Sequence, residues 1–334
     1  MNPTRRQYLR LGMGLGFLAA CPTLSVAADA SERDLAARLS WRERSLLGFG
    51  TTLWLRAGDL SADKAEAALD KSVQLLRQTE SQMSLFDEHS EISRLNRASE
   101  LRKPSRELLQ VIALSSTISS ASHGTFDITM QPLWTVWARA QAESRLPTQR
   151  ELQAARARVN WQVLKHATNS LVLPKGMSLS LNGIAQGFAA DALRTQMQAM
   201  GIRHAMLDTG ETAVLGEAPG GVPWRFGIED VHRPDSAPVQ AATVPDGYAI
   251  ATSSDAHTTF TEDRVHHHIL DPRTGDSPGW WSSVTVMAKS AALADGLTKV
   301  FFMLPPSQVQ QAAKRWGVAV ILQDKQGRWR RFAA

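Results

Sequence analysis

The sequence predicts an α+β fold built as one principal domain, on three observations. Amphipathic helical segments and short β-rich runs are mixed along the chain without strict alternation, which argues against a doubly wound parallel sheet. After Gly201 the character shifts from helix-rich to strand-rich. No repeat, low-complexity tract or long linker divides the 334 residues into independent units.

The elements follow in order. Gly50-Thr51-Thr52-Leu53-Trp54-Leu55 reads as a strand. Ser61 then caps a helix whose apolar residues Ala65, Ala68, Leu69, Val73 and Leu76 recur at helical spacing. A second helix follows Pro104-Ser105, carries Leu108, Val111, Ile112 and Ile118, and stops before Gly124. Thr148 with Glu151 forms a capping box for a third, and a fourth starts near Ile184-Ala185-Gln186-Gly187 and ends at Gly201. Strands are expected at Ala205 to Asp208, Trp224 to Ile228, Tyr248 to Thr252 and Ser283 to Met287, separated by Gly- and Pro-rich turns. Helices from Ala291 to Met303 and Ser307 to Trp316, then a strand from Val318 to Leu322, complete the pattern.

The N-terminus carries a targeting pattern. Thr4 to Arg10 is a charged head with twin arginines, Arg5-Arg6, followed by an apolar run from Leu11 to Ala20 that is too short to span a bilayer comfortably. Residues 1–27 are therefore expected to be an export signal of the twin-arginine type, with the periplasm as destination. Cys21, the only cysteine, excludes an intramolecular disulfide. It ends Leu18-Ala19-Ala20-Cys21, a lipobox pattern; the alternative is its loss by cleavage after Ala27, where Ser25-Val26-Ala27 offers small residues. Any membrane association is expected only through such a lipid anchor. The formal charge of +5 falls to +2 without Arg5, Arg6 and Arg10, too little to argue for nucleic acid.

Several segments after the signal carry chemistry. His267-His268-Ile269-Leu270-Asp271-Pro272-Arg273-Thr274-Gly275 reads as a polar strand entering a turn, with Pro presetting φ, Gly permitting positive φ, and Asp and Thr bonding local backbone. Such a turn holds a histidine and backbone amides in place for an anion; it equally describes a well-capped hairpin. In Gly124-Thr125-Phe126-Asp127-Ile128-Thr129, Phe126 and the later Trp134 could pack on a flat ring, with Asp127 bonding a ring nitrogen or ribose hydroxyl. The same residues suit a helix C-cap with core aromatics. Leu181-Asn182-Gly183-Ile184-Ala185-Gln186-Gly187 offers helix-start amides to a diphosphate, or two glycines for close helix packing. Asp208-Thr209-Gly210-Glu211 is a tight turn, with Trp224 to Glu229 as its return strand, and Thr252-Ser253-Ser254-Asp255 a hydroxyl-rich turn suited to phosphate or to plain local bonding. Asp295 and Lys299 share a helix face, as an ion pair or as an acid offered to a cation. His266 and His268 would point opposite to His267 on a strand, which speaks against a transition-metal cluster.

Set in order, these segments resemble the FAD:protein FMN transferase (ApbE) family over nearly the whole chain after the signal, within residues 40–330. The resemblance runs through Phe49-Gly50-Thr51, the stretch Met83 to Asn96, Gly124 to Thr129, Leu181 to Asp191, His268 to Gly275, and Ser283-Val284-Thr285-Val286 followed by Ala294-Asp295. It implies a single ApbE-like (T-fold-like) domain of mixed helices and antiparallel strands. It also implies a reaction: FAD and a divalent cation, usually magnesium, are bound, and FMN is transferred to a threonine hydroxyl of an acceptor redox protein, releasing AMP. Two alternatives use the same site: an FAD-binding carrier or assembly factor without transfer, and an FAD pyrophosphatase with water as nucleophile.

The resemblance assigns roles by position. His268 matches a histidine that assists attack. Phe49, Phe86, Thr125, Phe126, Asp127, Ser180, Gln186 and Leu270 match FAD-contacting positions; Phe86 stands where a tyrosine is usual, and Ser180 and Gln186 where charge is common. Gly183, Asp295 and Lys299 match metal-contacting positions. Gly183 could serve only through its carbonyl, and Gly210-Glu211-Thr212 replaces the common Gly-Gly-Asp. Lys299 stands where Thr or Ser is typical, and an ammonium has no lone pair to give a cation. Thr298, the neighbouring hydroxyl, points about 100° away around the helix.

Overall fold

The computed structural model describes residues 38–333, except 165, 168, 239 and 257. The export signal, Cys21 and both cleavage sites lie outside the described residues. In chain order the elements are β1 Ser40–Gly48, β2 Thr51–Asp59, α1 Ala62–Met83, α2 Glu91–Ala98, β3 Glu100–Arg102, α3 Arg106–Ala121, α4 Gln131–Ala142 and α5 Gln149–Arg156. A 3₁₀ turn, Trp161–Val163, leads to β4 His166–Ala167, β5 Ser170–Val172, α6 Ala185–Ala199, β6 His204–Asp208, β7 Thr212–Leu215, β8 Trp224–Ile228 and β9 Gln240–Val244. The chain continues through β10 Ala249–Ser254, β11 Trp281–Ala288, α7 Ala291–Phe302, α8 Pro306–Trp316, β12 Ala319–Asp324 and β13 Trp329–Phe332.

An antiparallel eight-stranded sheet in the order β1-β2-β6-β7-β10-β11-β12-β13 organises the molecule. Strand β2 shows why one face is buried: Leu53, Leu55 and Ala57 alternate inward while Thr52 and Trp54 face out. The inward face meets α1, α6 and α7, which pack on β1–β2, β6–β7 and β10–β11 respectively. On the opposite face the β8–β9 ribbon closes a smaller core with Met206, Val214, Trp224 and Ile250, where Trp41 meets Trp224 edge-on at 6.0 Å. A three-stranded sheet, β3-β5-β4, is paired with neither and adds Leu101 and Leu171 to the main core. Among the described residues no helix is long and apolar enough to cross a membrane.

The caps read from the sequence are present. Ser61 accepts from the Lys64 amide, Ser105 from that of Leu108, and Thr148 and Glu151 form the reciprocal box. Three expectations need correction. Trp224–Ile228 pairs with β9, and the return strand after the Thr209–Glu211 turn is β7, because Asp208 and Thr212 are directly opposed. Residues Thr252 to Ser254 belong to strand β10, where cross-strand partners on β11 fix them. His266 to His268 form no extended strand, only an isolated bridge between His267 and Thr259.

Gly187 explains how closely α6 and α7 approach. A Cβ there would lie 2.3 Å from the Ala291 carbonyl oxygen and 2.8 Å from the Ala292 Cα, both backbone. Gly187→Ala is expected to force the helices apart and to destabilise the fold by about 1–3 kcal/mol. An unchanged urea midpoint would contradict that reading of the crossing.

Candidate active site

A cleft of about 1470 Å³ opens between the β1–β2 hairpin, the segments around Phe86 and Phe126, the start of α6, and the loop after His268. This exceeds the roughly 300–1,000 Å³ of sites for drug-sized ligands. The structure gathers the predicted residues Phe86, Thr125, Phe126, Asp127, Ser180 and Gly183 on its walls. Gln186, His268, Leu270 and Lys299 complete that set. Phe49 and Asp295 lie outside the lining. Phe49 occupies the tight β1–β2 turn with φ +50°, its amide donating to Glu80 Oε1 at 2.8 Å. Asp295 is fully buried behind Lys299.

The aromatic wall is two-part. Phe86 is 70% exposed and covers Gly50, whereas Phe126 is buried, its Cε2 3.5 and 3.8 Å from where a Cβ at Gly183 or Gly296 would lie. Asp127 serves its own loop: Oδ1 accepts from the Thr129 amide at 2.8 Å and hydroxyl at 2.7 Å, and Oδ2 from the Trp161 amide at 3.2 Å. Burial nevertheless holds its pKa above the ordinary carboxylate value, against those hydrogen bonds.

His268 is oriented by its backbone. Its Nδ1 lies 2.9 Å from the Thr258 carbonyl, which can only accept, and its amide donates to the same oxygen at 3.0 Å. In the neutral ring the proton therefore sits on Nδ1 and the lone pair on Nε2. The following turn is self-contained: Asp271 Oδ1 accepts from the Arg273 amide, and the Asp271 carbonyl accepts from the Gly275 amide at 2.7 Å. Those amides are thus committed within the turn, contrary to the expectation that they anchor an anion. The turn's contribution is to place the histidine.

The three consecutive histidines diverge. His266 pairs with Asp276 at 2.7 Å and stacks on Trp137. His267 is buried against Phe302, and neither ring nitrogen has a hydrogen-bonding partner of good geometry. Burial, then the positive charge of Lys325 and of His268, pushes its pKa down from 6.5 to about 3, against Asp255 and a weak pull from the Pro278 carbonyl. Because the folded state excludes a proton that the unfolded chain takes up below pH 6.5, His267 contributes stability above that pH. That stability is lost as pH falls toward 3, by up to about 1.4 kcal/mol per unit. His267→Leu is expected to flatten the pH dependence of the urea midpoint between pH 6.5 and 4.5; an unchanged slope would contradict this.

At the α6–α7 junction two carboxylates serve as reciprocal caps. Asp191 of α6 accepts the Ala291 and Ala292 amides of α7 at 2.9 and 3.0 Å. Asp295 of α7 accepts the Gly187 amide of α6 through Oδ2 at 3.2 Å. The Gly187 and Ala185 amides, the latter bonded to the Leu181 carbonyl, are therefore not offered to a diphosphate. The second oxygen of Asp295, Oδ1, takes the Lys299 ammonium, which also donates to the Asp295 carbonyl at 3.2 Å. The Thr298 hydroxyl is buried, donating to that carbonyl at 2.7 Å and receiving Ser253 at 2.7 Å.

This donor set does not suit magnesium, which demands near-octahedral oxygen ligation at about 2.0–2.1 Å. Both Asp295 oxygens already hold N–H groups, and the group on the cleft side is a cation. Among the described residues no cluster of three or more His, Cys, Asp or Glu is arranged to hold a metal ion.

Other cleft residues were not singled out in advance, notably Trp54, Phe226 and Glu229. Trp54 carried a signal: it is the large apolar residue on the outward phase of an otherwise alternating strand. Phe226 and Glu229 come from the β8–β9 side, whose approach to the cleft depends on tertiary packing.

The chain is similar to known proteins over most of its length. Residues 49–322 match the ApbE family. An FAD:protein FMN transferase of Vibrio cholerae is 33% identical over 258 residues, covering 74% of this chain and 76% of that protein. One from Klebsiella pneumoniae is 30% identical, covering 83% and 82%. Among solved structures, the flavin transferase ApbE of Vibrio cholerae superposes with a TM-score of 0.74 at 27% identity, covering 89% of this chain and 97% of that one. The apbe protein of Thermotoga maritima, at 24% identity and a TM-score of 0.78, shares the fold. The cleft-lining motifs from Phe86 to Lys299 all fall inside the matched span, and the chain belongs to the ApbE family.

Proposed function

We propose that the protein binds FAD in this cleft and transfers its FMN half to a threonine hydroxyl of an acceptor redox protein, releasing AMP. The observation that carries the reading is the convergence of Phe86, Phe126 and an oriented His268 on one cleft large enough for a dinucleotide and an incoming peptide. In the step itself the threonine oxygen attacks the FMN phosphorus and forms a new O–P bond. The diphosphate P–O bond breaks, AMP departs, and the hydroxyl proton passes to His268 Nε2. The twin-arginine segment supports action in the periplasm, on an exported or membrane-bound acceptor, with Cys21 as the lipid-bearing residue if the lipobox is used.

Incubation with FAD and an acceptor carrying a flavinylation threonine, followed by in-gel flavin fluorescence, tests this. A fluorescent acceptor supports transfer. Intact bound FAD would favour a carrier, and free FMN with AMP in the absence of acceptor a pyrophosphatase.

A further inference from the structure

We infer, resting on the dinucleotide reading above, that Lys299 is the fixed cation this cleft offers to the FAD diphosphate, in place of a divalent ion. Among the described residues lining the cleft, Lys299 is the sole lysine or arginine, whereas Asp127, Asp208, Glu211 and Glu229 contribute carboxylates. A dianionic diphosphate entering such walls needs a positive partner. Lys299 lines the cleft with 21% of its side chain exposed, while Asp295 behind it is wholly buried.

The local geometry holds the charge in place. Lys299 Nζ is anchored on both the carboxylate and the carbonyl of Asp295, which uses two of its three N–H donors. Its stem packs against Gly183, where a Cβ would come within 3.3 Å of Lys299 Cε and 3.5 Å of Phe126 Cε2. Gly183 thus leaves room for the lysine between the α6 start and the aromatic wall. A threonine or serine at position 299 would be too short to carry a charge to the cleft, and Asp295 would then be open to an external cation. In this chain the cation is covalently supplied.

Binding distinguishes the two arrangements. FAD and riboflavin affinities of the purified mature chain are measured by flavin fluorescence, in EDTA and then in excess magnesium. The native protein is expected to bind FAD equally well in both. Lys299→Met is expected to weaken FAD binding in EDTA by about tenfold or more, the worth of one charge-assisted hydrogen bond, with riboflavin binding unchanged. Because that variant leaves a buried carboxylate unpaired, Asp295→Asn/Lys299→Met provides a charge-free control and should show the same loss. Lys299→Arg should retain metal-independent binding. A tenfold or greater gain of native FAD affinity on adding magnesium would overturn the inference, as would undiminished FAD binding by both methionine variants. Failure of the native protein to bind FAD under either condition would overturn the dinucleotide reading and this inference with it.

Discussion

Replacing His268 by alanine is expected to slow flavin transfer by about 10²–10⁴-fold, the usual worth of general-base assistance, while FAD affinity is largely retained. The ring is oriented by the Thr258 carbonyl and stands at the cleft wall outside the hydrophobic clusters. Its loss should therefore remove a proton acceptor without opening a core cavity. Rates of acceptor fluorescence, together with an FAD titration of the same variant, check both halves of the expectation. A variant that transfers at the native rate would exclude His268 as the base. One that no longer binds FAD would make it a binding residue.

Asp295→Ala is expected to destabilise the fold by about 3 kcal/mol, the lower end of the range for breaking a buried charge pair. It strips the Gly187 amide of its acceptor at the tight α6–α7 crossing and leaves the Lys299 ammonium without its counter-charge. The Lys299 side chain is partly exposed, so its ammonium can turn into the cleft water, which keeps the cost from rising further. Adding Lys299→Met should recover part of the loss, because no orphaned charge then remains beneath the cleft. Urea unfolding of the two single variants and the double variant gives the coupling, expected to exceed about 1 kcal/mol for residues in direct contact. Strict additivity would show that the pair is not energetically linked.

Helices α1, α3 and α5 were legible because their start signals are local: a serine or threonine and an amide three residues on. Helix α4 lacks a side-chain cap at Met130, and the edge strands β1 and β13 are rich in charge, so neither announces itself by pattern. The site divides the same way. Within Gly124 to Thr129 the bonds that Asp127 accepts from Thr129 are local, whereas the one from the Trp161 amide spans 34 residues and leaves no mark in the sequence. The partners of Asp295 are likewise only partly local. Lys299 lies one helical turn away, but the Gly187 amide is 108 residues distant and reaches Asp295 only because Gly187 lets the helices touch. The glycine spacing in the α6 turn therefore reports helix packing first, and its value to the site comes through the lysine it helps to position.

In the proposed transfer, breakage of the FAD diphosphate is coupled to capture of FMN by protein. The most direct test of this coupling is to follow AMP release and acceptor mass together in one reaction, using an acceptor and its threonine-to-alanine counterpart. One AMP is expected for each acceptor that gains an FMN phosphoester, and no AMP above background with the alanine acceptor. AMP formed at the same rate with either acceptor, with FMN left free in solution, would contradict it.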